Sequence, residues 1–559
     1  MRVWCECSSG LGIASLSLMV AAASLRGFRD KQVCFVAVTL LLAMTLGPVL
    51  NQFDYETVLS DARAKAEHTN GGTEEVWLDG GQPWPQFGRT GSRVADTPIH
   101  GPEGGAGFGS PSNTSILMSI IDPSVNWAYG SYSIGTDSLG TPIADLSGSI
   151  EVDEGAEDRC GRDSLFSVLV QTVEVSGSQH SMLRVIEGED ADLAWQVDLG
   201  ATEIVKAAPV IVDIDDDGRP EILVAYDAAG TLFVDAWSPR LSCSVTGWSY
   251  SSHSGELLWT WSDESKKISS DEGPYTSSLL GGHKPTTQPL LADLDLDGDA
   301  ELVLAVLDEV SEDPIVLAFP LQINGTPSTL WEVTLDKGSH PSDPAFAQVD
   351  DSTGYVLLTT IEANNGGMWV WKIDSSTGDS SWDGGLSLDN LDGDTNAPHV
   401  RLPGPVIVNL DSDSDPEMIV TIPSDADGSS AVDGAEFRGI EIDDGGELWS
   451  FEASNGFADA PPTAIDTDGD GEHDRVCWVT WWQGTMGARH GQTGCHDVGG
   501  DTPDEAWNRD LEQSSGNPND EIAVAAASWM DIDGEDAPEL LVAFGRSLWA
   551  FDGASGTSL

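Results

Sequence analysis

The chain has 559 residues, 93 of them Asp or Glu against 25 Lys and Arg, for a formal net charge of −68. A surface this acidic repels nucleic acid and anionic membranes, so nucleic-acid binding is not expected, and any membrane association is expected through the N-terminal segment, if it is not cleaved. With 61 glycines, 20 tryptophans and no long amphipathic helical pattern beyond the N-terminal region, the composition suits an all-β protein, long enough for several domains or one large repeat array.

Residues 1–51 are read as a hydrophobic signal or anchor. Gly10–Leu25 and Val33–Leu50 are apolar runs separated by Arg26, Arg29 and Lys31. Each is near the short limit for a spanning helix, which needs about 17–25 residues. If both crossed, the basic link would lie outside, against the positive-inside preference. A single insertion by the second run is expected, which leaves everything after about residue 51 outside the cytoplasm. No small-residue cleavage site follows Leu50 to separate a cleaved signal from a retained anchor. Residues 52–120, rich in Gly, Pro and Ser from residue 72 onward, read as a stalk or wrapping segment.

Residues 121–559 carry a repeated pattern. Asp213, Asp215, Asp217, Gly218 and Glu221 place oxygens at positions 1, 3, 5 and 9 of a loop with glycine at 6, and the apolar run Ile222–Tyr226 follows. The spacing recurs at Asp293, Asp295, Asp297 and Glu301, then at Asn409, Asp411, Asp413 and Glu417. It recurs again at Asp466, Asp468, Asp470 and Asp474, and at Asp531, Asp533, Glu535 and Glu539. A hard cation such as Ca²⁺ takes six to eight oxygens at about 2.3–2.6 Å, and a glycine-turned loop of alternating carboxylates supplies them. Asx-turns explain one or two such loops but not five at fixed spacing. An EF-hand is disfavoured, because the closing acid falls at position 9 and strands flank the loop. About five calcium ions are expected, with a structural role, and the Asn409 site is expected to be weak because it also has Ser414 where glycine is usual. The loops hold 24 of the 93 acids; the 69 that remain still exceed the 25 basic residues, so metal binding does not account for the charge.

A tryptophan in a short polar-alternating strand precedes each loop: Trp127, Trp195, Trp259, Trp331, Trp382, Trp449 and Trp507 stand before loops beginning at Asp145, Asp213, Asp293, Gln348, Asn409, Asp466 and Asp531. Seven units of this size, each with several strands, predict a seven-bladed β-propeller of four-stranded blades. In this reading residues 206–213 form inner strand A, 221–226 strand B, 231–237 strand C and 257–261 outer strand D. The loops at Asp145 and Gln348 have too few carboxylates for an ion. The seventh unit lacks a strand D, and residues 124–130 are expected to supply it and close the ring.

The loop-plus-strand pattern resembles the FG-GAP repeats of integrin α-like propellers. The segments Ser254–Trp259, Gly445–Trp449, Leu548–Asp552 and Trp84–Phe87 look like repeats of pyrroloquinoline-quinone-type propellers. The FG-GAP resemblance implies that Arg219, Asp299, Asp415, Glu472 and Ala537, at position 7, each offer a backbone carbonyl to the metal. Both families are functionally diverse.

Cys477 and Cys495 sit symmetrically about a predicted hairpin and are candidates for a cross-strand disulfide; Cys160 and Cys243 are candidates for a second. His283, His340 and His399 precede successive loops and read as exposed loop histidines rather than a ligand ring. Asn113 and Asn324 fit the N-glycosylation sequon. The favoured function is a surface adhesion or ligand-binding scaffold for an unknown protein or carbohydrate, or for the assembly of envelope proteins. The alternatives are a polysaccharide lyase, with Lys206, His283, Lys284, His340 and Arg401 as scattered basic candidates, and, more weakly, a quinoprotein dehydrogenase.

Overall fold

The computed structural model describes residues 143–559, apart from breaks in loops, the longest at 153–164, 269–286, 391–401, 425–433, 512–526 and 531–537. The hydrophobic N-terminus, the stalk, the expected closing strand, Asn113, Cys160, His283, Lys284, Asn324, His399 and Arg401 lie outside the described residues. No helix among the described residues is long and apolar enough to cross a membrane.

The chain lays down antiparallel sheets one after another. The second runs A (Val205–Lys206 and Val210–Val212), B (Glu221–Ala228), C (Thr231–Ser238) and D (Glu256–Asp263). The first spans Ile143–Gly200, the third Lys266–Thr334, the fourth His340–Asn390, the fifth Val406–Ala453 and the sixth Thr463–Leu511, all with the same order. The seventh has three strands, Ser528–Met530, Glu539–Phe544 and Ser547–Asp552. Beyond its third strand, Ser558 makes a single bridge to Phe551, at the place where a fourth strand starts.

Six hydrophobic clusters each lie between two consecutive sheets. Val168, Leu183 and Trp195 of the first sheet pack on Ile211, Ile222 and Val224 of the second. Leu223 and Val234 of the second pack on Leu302 and Leu317 of the third, and the series continues to Trp481 and Trp507 of the sixth against Trp529 and Phe551 of the seventh. Strand B is therefore buried on both faces, which explains its unbroken apolar runs. Full burial of one such side chain contributes roughly 1.5–3 kcal/mol. Sheets stacked face to face in chain order are propeller-like. No cluster among the described residues joins the seventh sheet to the first.

Two devices fix sheets against their neighbours. The first is set by proline in strand A, which has no N–H and breaks the ladder. The freed N–H before Pro209, on Ala208, donates to Gln288 Oε1 of the third sheet at 2.7 Å. Gln288, before Pro289, donates its N–H to Asp343 Oδ1 of the fourth sheet at 2.7 Å. Gln288 and Asp343 are buried. In the fifth sheet the same register position is Gly404, which lies against the Asp343 carbonyl where a Cβ would clash.

The second device is the tryptophan of strand D. A β-bulge at Ala194, Leu258, Leu448 or Ala506 immediately precedes Trp195, Trp259, Trp449 or Trp507 and re-aims the ring. Trp259 Nε1 donates to Gln322 O (2.6 Å), Trp331 Nε1 to Ser375 O (2.7 Å) and Trp507 Nε1 to Gly553 O (3.0 Å), each in the C–D turn of the next sheet. Glycines of those turns lie flush under the rings: a Cβ on Gly255 would stand 2.5 Å from Trp195, and one on Gly378 3.0 Å from Trp331.

The structure corrects two expectations. Trp382 lies in the C–D turn of the fourth sheet, before strand D at Leu386–Asn390. Leu386 takes the docking position, 3.0 Å from a Cβ built on Gly445 of the fifth sheet. His340 is a buried strand residue, not an exposed loop histidine, with Nδ1 2.8 Å from Ser339 Oγ.

Cys477 and Cys495 are directly opposed on strands B and C of the sixth sheet and form a buried disulfide. Cys243 is also disulfide-bonded. It lies in a small extra sheet in which Leu241–Ser244 pairs with Gly247–Trp248 and, in parallel, with Ile150–Val152 from the first sheet's A–B connection.

Candidate metal centre

The acidic loops are the A–B connections of the second, third, fifth and sixth sheets, and their internal hydrogen bonds repeat. Gly218, Gly298 and Gly471 each donate N–H to the position-1 carboxylate (Asp213, Asp293 or Asp466) at 2.8 Å. These glycines have φ of +80°, +100° and +98°, a left-handed region that side chains disfavour. At the other end, position 9 accepts the N–H of position 2. Glu221 accepts from Ile214 (3.1 Å), Glu301 from Leu294 (2.8 Å), Glu417 from Leu410 (2.5 Å) and Asp474 from Thr467 (2.9 Å).

Strand register explains the change from Glu to Asp. Glu221, Glu301 and Glu417 stand on strand B opposite Val212, Ala292 and Val408. In the sixth sheet Ile465 faces Arg475, so the loop is one residue longer and the shorter Asp474 reaches the same N–H from just before the strand. Met530 faces Glu539, which puts the seventh sheet in the glutamate frame. Asp470, Asp531, Asp533, Glu535 and Ala537 lie outside the described residues.

Carboxylates converge at three of these loops. The sets Asp213, Asp215 and Glu221; Asp293, Asp295 and Asp297; and Asp411, Asp413 and Glu417 each bring oxygens within 4.8 Å of one another. Asp217, Asp297 and Asp413 accept the N–H of Arg219, Asp299 and Asp415 at 2.9 Å, which folds the position-7 backbone against the loop. Asn409 Oδ1 accepts the N–H of Asp411 at 3.3 Å, and Asp466 Oδ1 that of Asp468 at 3.2 Å. Glu472 is half-buried at the end of its loop.

The closing glutamates are 4 %, 6 % and 0 % exposed at Glu221, Glu301 and Glu417, and 2 % at Glu539. Burial, assisted by neighbouring acids, pushes Glu221 up to about 7 and Glu301 and Glu417 to about 8. Asp215 and Asp295 are raised by the same two causes. Glu417 Oε1 is buried with no hydrogen-bond partner. An all-oxygen donor set of converging carboxylates, one oxygen left orphaned, fits a hard divalent cation and not a soft one.

The other two A–B connections are built differently. In the fourth sheet Ala347 faces Tyr355, so a tyrosine holds the register position of the closing glutamate. Asp350 caps that turn by accepting the N–H (2.7 Å) and Oγ (2.8 Å) of Ser352. The buried Lys372 ammonium lies 4.2 Å from the Tyr355 ring centre and donates to Ile442 O at 2.9 Å. In the first sheet the connection passes buried Leu146 and pairs as Ile150–Val152 with the second sheet's excursion.

Two residues at the sites escape loop-spacing arguments. Glu441, at the end of strand C, is directly opposite Glu417. Burial raises its carboxyl first, then Asp411, Asp413, Asp444 and Asp415 around it. His473 of the sixth-sheet loop donates its N–H to Asn409 O of the fifth at 2.7 Å. Cross-strand register reveals the first, and the contact between sheets the second. Of the basic lyase candidates, only Lys206, in strand A, and the buried His340 lie among the described residues.

No protein-family model matches the chain, and no curated protein matches it. Among solved structures, it is similar to the V. cholerae biofilm matrix protein Bap1 at 12 % identity and TM-score 0.39, over 77 % of this chain and 81 % of that one. It is also similar to Chaetomium thermophilum Sqt1 bound to the N-terminus of ribosomal protein L10, at 10 % identity and TM-score 0.40 over 77 % and 89 %. A Bacillus licheniformis rhamnogalacturonan lyase is similar at 11 % identity and TM-score 0.28 over 70 % and 74 %. None of the three reaches a TM-score of 0.5.

Proposed function

We propose that the chain is an extracytoplasmic, calcium-stabilised propeller of the FG-GAP-like type that acts as a binding scaffold at the cell surface. One observation carries this reading: the same carboxylate loop stands at the same A–B register of the second, third and fifth sheets, with its closing glutamate buried. Calcium would be held by the loop carboxylates of the second, third, fifth, sixth and seventh sheets and would tie strand A to strand B in each. Extracellular modules of this kind bind at about 10⁻⁴–10⁻³ M, which matches calcium levels outside a cell and not inside one. The ring would close as seven blades through residues 124–130, lying as strand D on the open edge of Ser547–Asp552. Deleting residues 120–132 should then destabilise the whole ring, and a deletion that melts like the full chain would reject the closure.

The experiment on function presents the purified full chain, loaded with calcium, to a panel of acidic and neutral polysaccharides. Calcium-dependent retention without new unsaturated sugar ends supports a scaffold. Appearance of such ends, the product of β-elimination, would replace it with a lyase.

A further inference from the structure

We propose that Glu441, outside the loop and on the neighbouring strand C, is a ligand of the fifth-sheet cation site and replaces the charge lost at Asn409. The inference rests on the cation reading of the loops. Asn409 leaves this loop one carboxylate poorer at position 1 than the loops headed by Asp213, Asp293 and Asp466. Glu441 stands directly across from Glu417, so both side chains leave the same face of the sheet about 4.5–5.5 Å apart at Cβ. Two acids so placed, when ionised, repel unless a cation lies between them.

The same strand-C position in other sheets shows what Glu441 does not do. Asp374 and Asp552 turn back to cap their own C–D turns, accepting the N–H of Thr377 at 2.9 Å and of Ser555 at 2.7 Å. In the fifth sheet that turn is capped instead by Asp444, which accepts the N–H of Gly446 at 2.8 Å. Glu441 is left without that cap, on the strand position facing the loop-closing Glu417. The third sheet has Pro320 opposite its closing Glu301, with no side-chain ligand atom to offer. The independent sign of a ligand is Glu417 Oε1, on a side chain of 0 % exposure, which has no hydrogen-bond partner beside the Asp411 and Asp413 carboxylates.

The test is calorimetric titration of the full chain with calcium chloride after chelation, on wild type and on E441Q, E417Q, N409D/E441Q and, as a control in the second sheet, E221Q. Charge count sets affinity in oxygen sites, so E441Q should weaken one class of site by about tenfold, with the others unchanged. N409D/E441Q should restore it. An E441Q titration superimposable on wild type, with E417Q still losing a site, would overturn the assignment of Glu441 and leave the cation reading intact. Absence of calcium binding by the wild type would instead overturn the reading beneath it.

Discussion

At the scale of single residues, the closing glutamates set a pH dependence whose sign is opposite to that of most carboxylates. Their ordinary value is near 4.5, and burial raises Glu221 to about 7 and Glu301 and Glu417 to about 8. Between these limits the chelated folded state holds more protons than the unfolded chain, so its stability falls as pH rises. A bound dication favours the ionised form and removes the penalty. Thermal melts in excess chelator should therefore drop steadily from pH 5 to pH 8, while melts in millimolar calcium should not. E417Q, neutral at every pH, should flatten part of the slope in chelator; an identical slope in that variant would mean that Glu417 is not among the groups responsible. His496, buried against Phe451 at 3.9 Å, is shifted down by burial and acts in the other direction. It must stay neutral in the fold, so its contribution is present above its ordinary value of 6.5 and fades below it.

At the scale of elements, the tryptophan docks on the neighbouring C–D turn make a separable prediction. Gly378 has φ +77° and lies under Trp331, whereas Gly325, in the equivalent turn of the third sheet, has φ +87° with nothing near its missing Cβ. Gly325→Ala should cost only the left-handed backbone term, about 1 kcal/mol. Gly378→Ala should cost about 1–3 kcal/mol more by forcing the ring away. Equal losses in chemical denaturation would show that the dock contributes nothing to stability. Much of this element level was legible beforehand. The second sheet's strands B, C and D start within a residue of the positions expected from its apolar runs, because burial on both faces makes such runs unmistakable. What stayed hidden lies across strands and across sheets: the lateral hydrogen bonds of Gln288 and Asp343, the bulge that aims each tryptophan, and the placement of Glu441. These depend on register between segments distant in sequence, which local spacing does not encode. Trp382 was misplaced for the same reason, since a tryptophan in a turn and one at a strand start look alike until pairing is known.

At the scale of the whole molecule, the net charge of −68 and the loop sites both make stability depend on cations, and the two effects separate cleanly. Self-repulsion across the surface is long-ranged and is relieved by any salt, with a screening length of about 10 Å at 0.1 M. The carboxylates in a loop lie within 4.8 Å of one another, inside that length, so diffuse monovalent ions screen them poorly. Calcium fits the loop itself, whereas magnesium demands tighter octahedral geometry and gives up its waters reluctantly. Each core is shared by two consecutive sheets, so loosening several A–B connections weakens a run of nearest-neighbour interfaces together. Starting from chelated protein at low ionic strength, sodium chloride should raise the melting temperature gradually and without saturation at millimolar levels. Millimolar calcium should add many degrees with saturation, at any sodium concentration, and magnesium should add much less. If sodium at matched ionic strength reproduces the calcium effect, the loops act only as part of a general acidic surface. Saturation by calcium on top of full screening would locate the effect in the loops, because screening a surface has no stoichiometry and filling a site does.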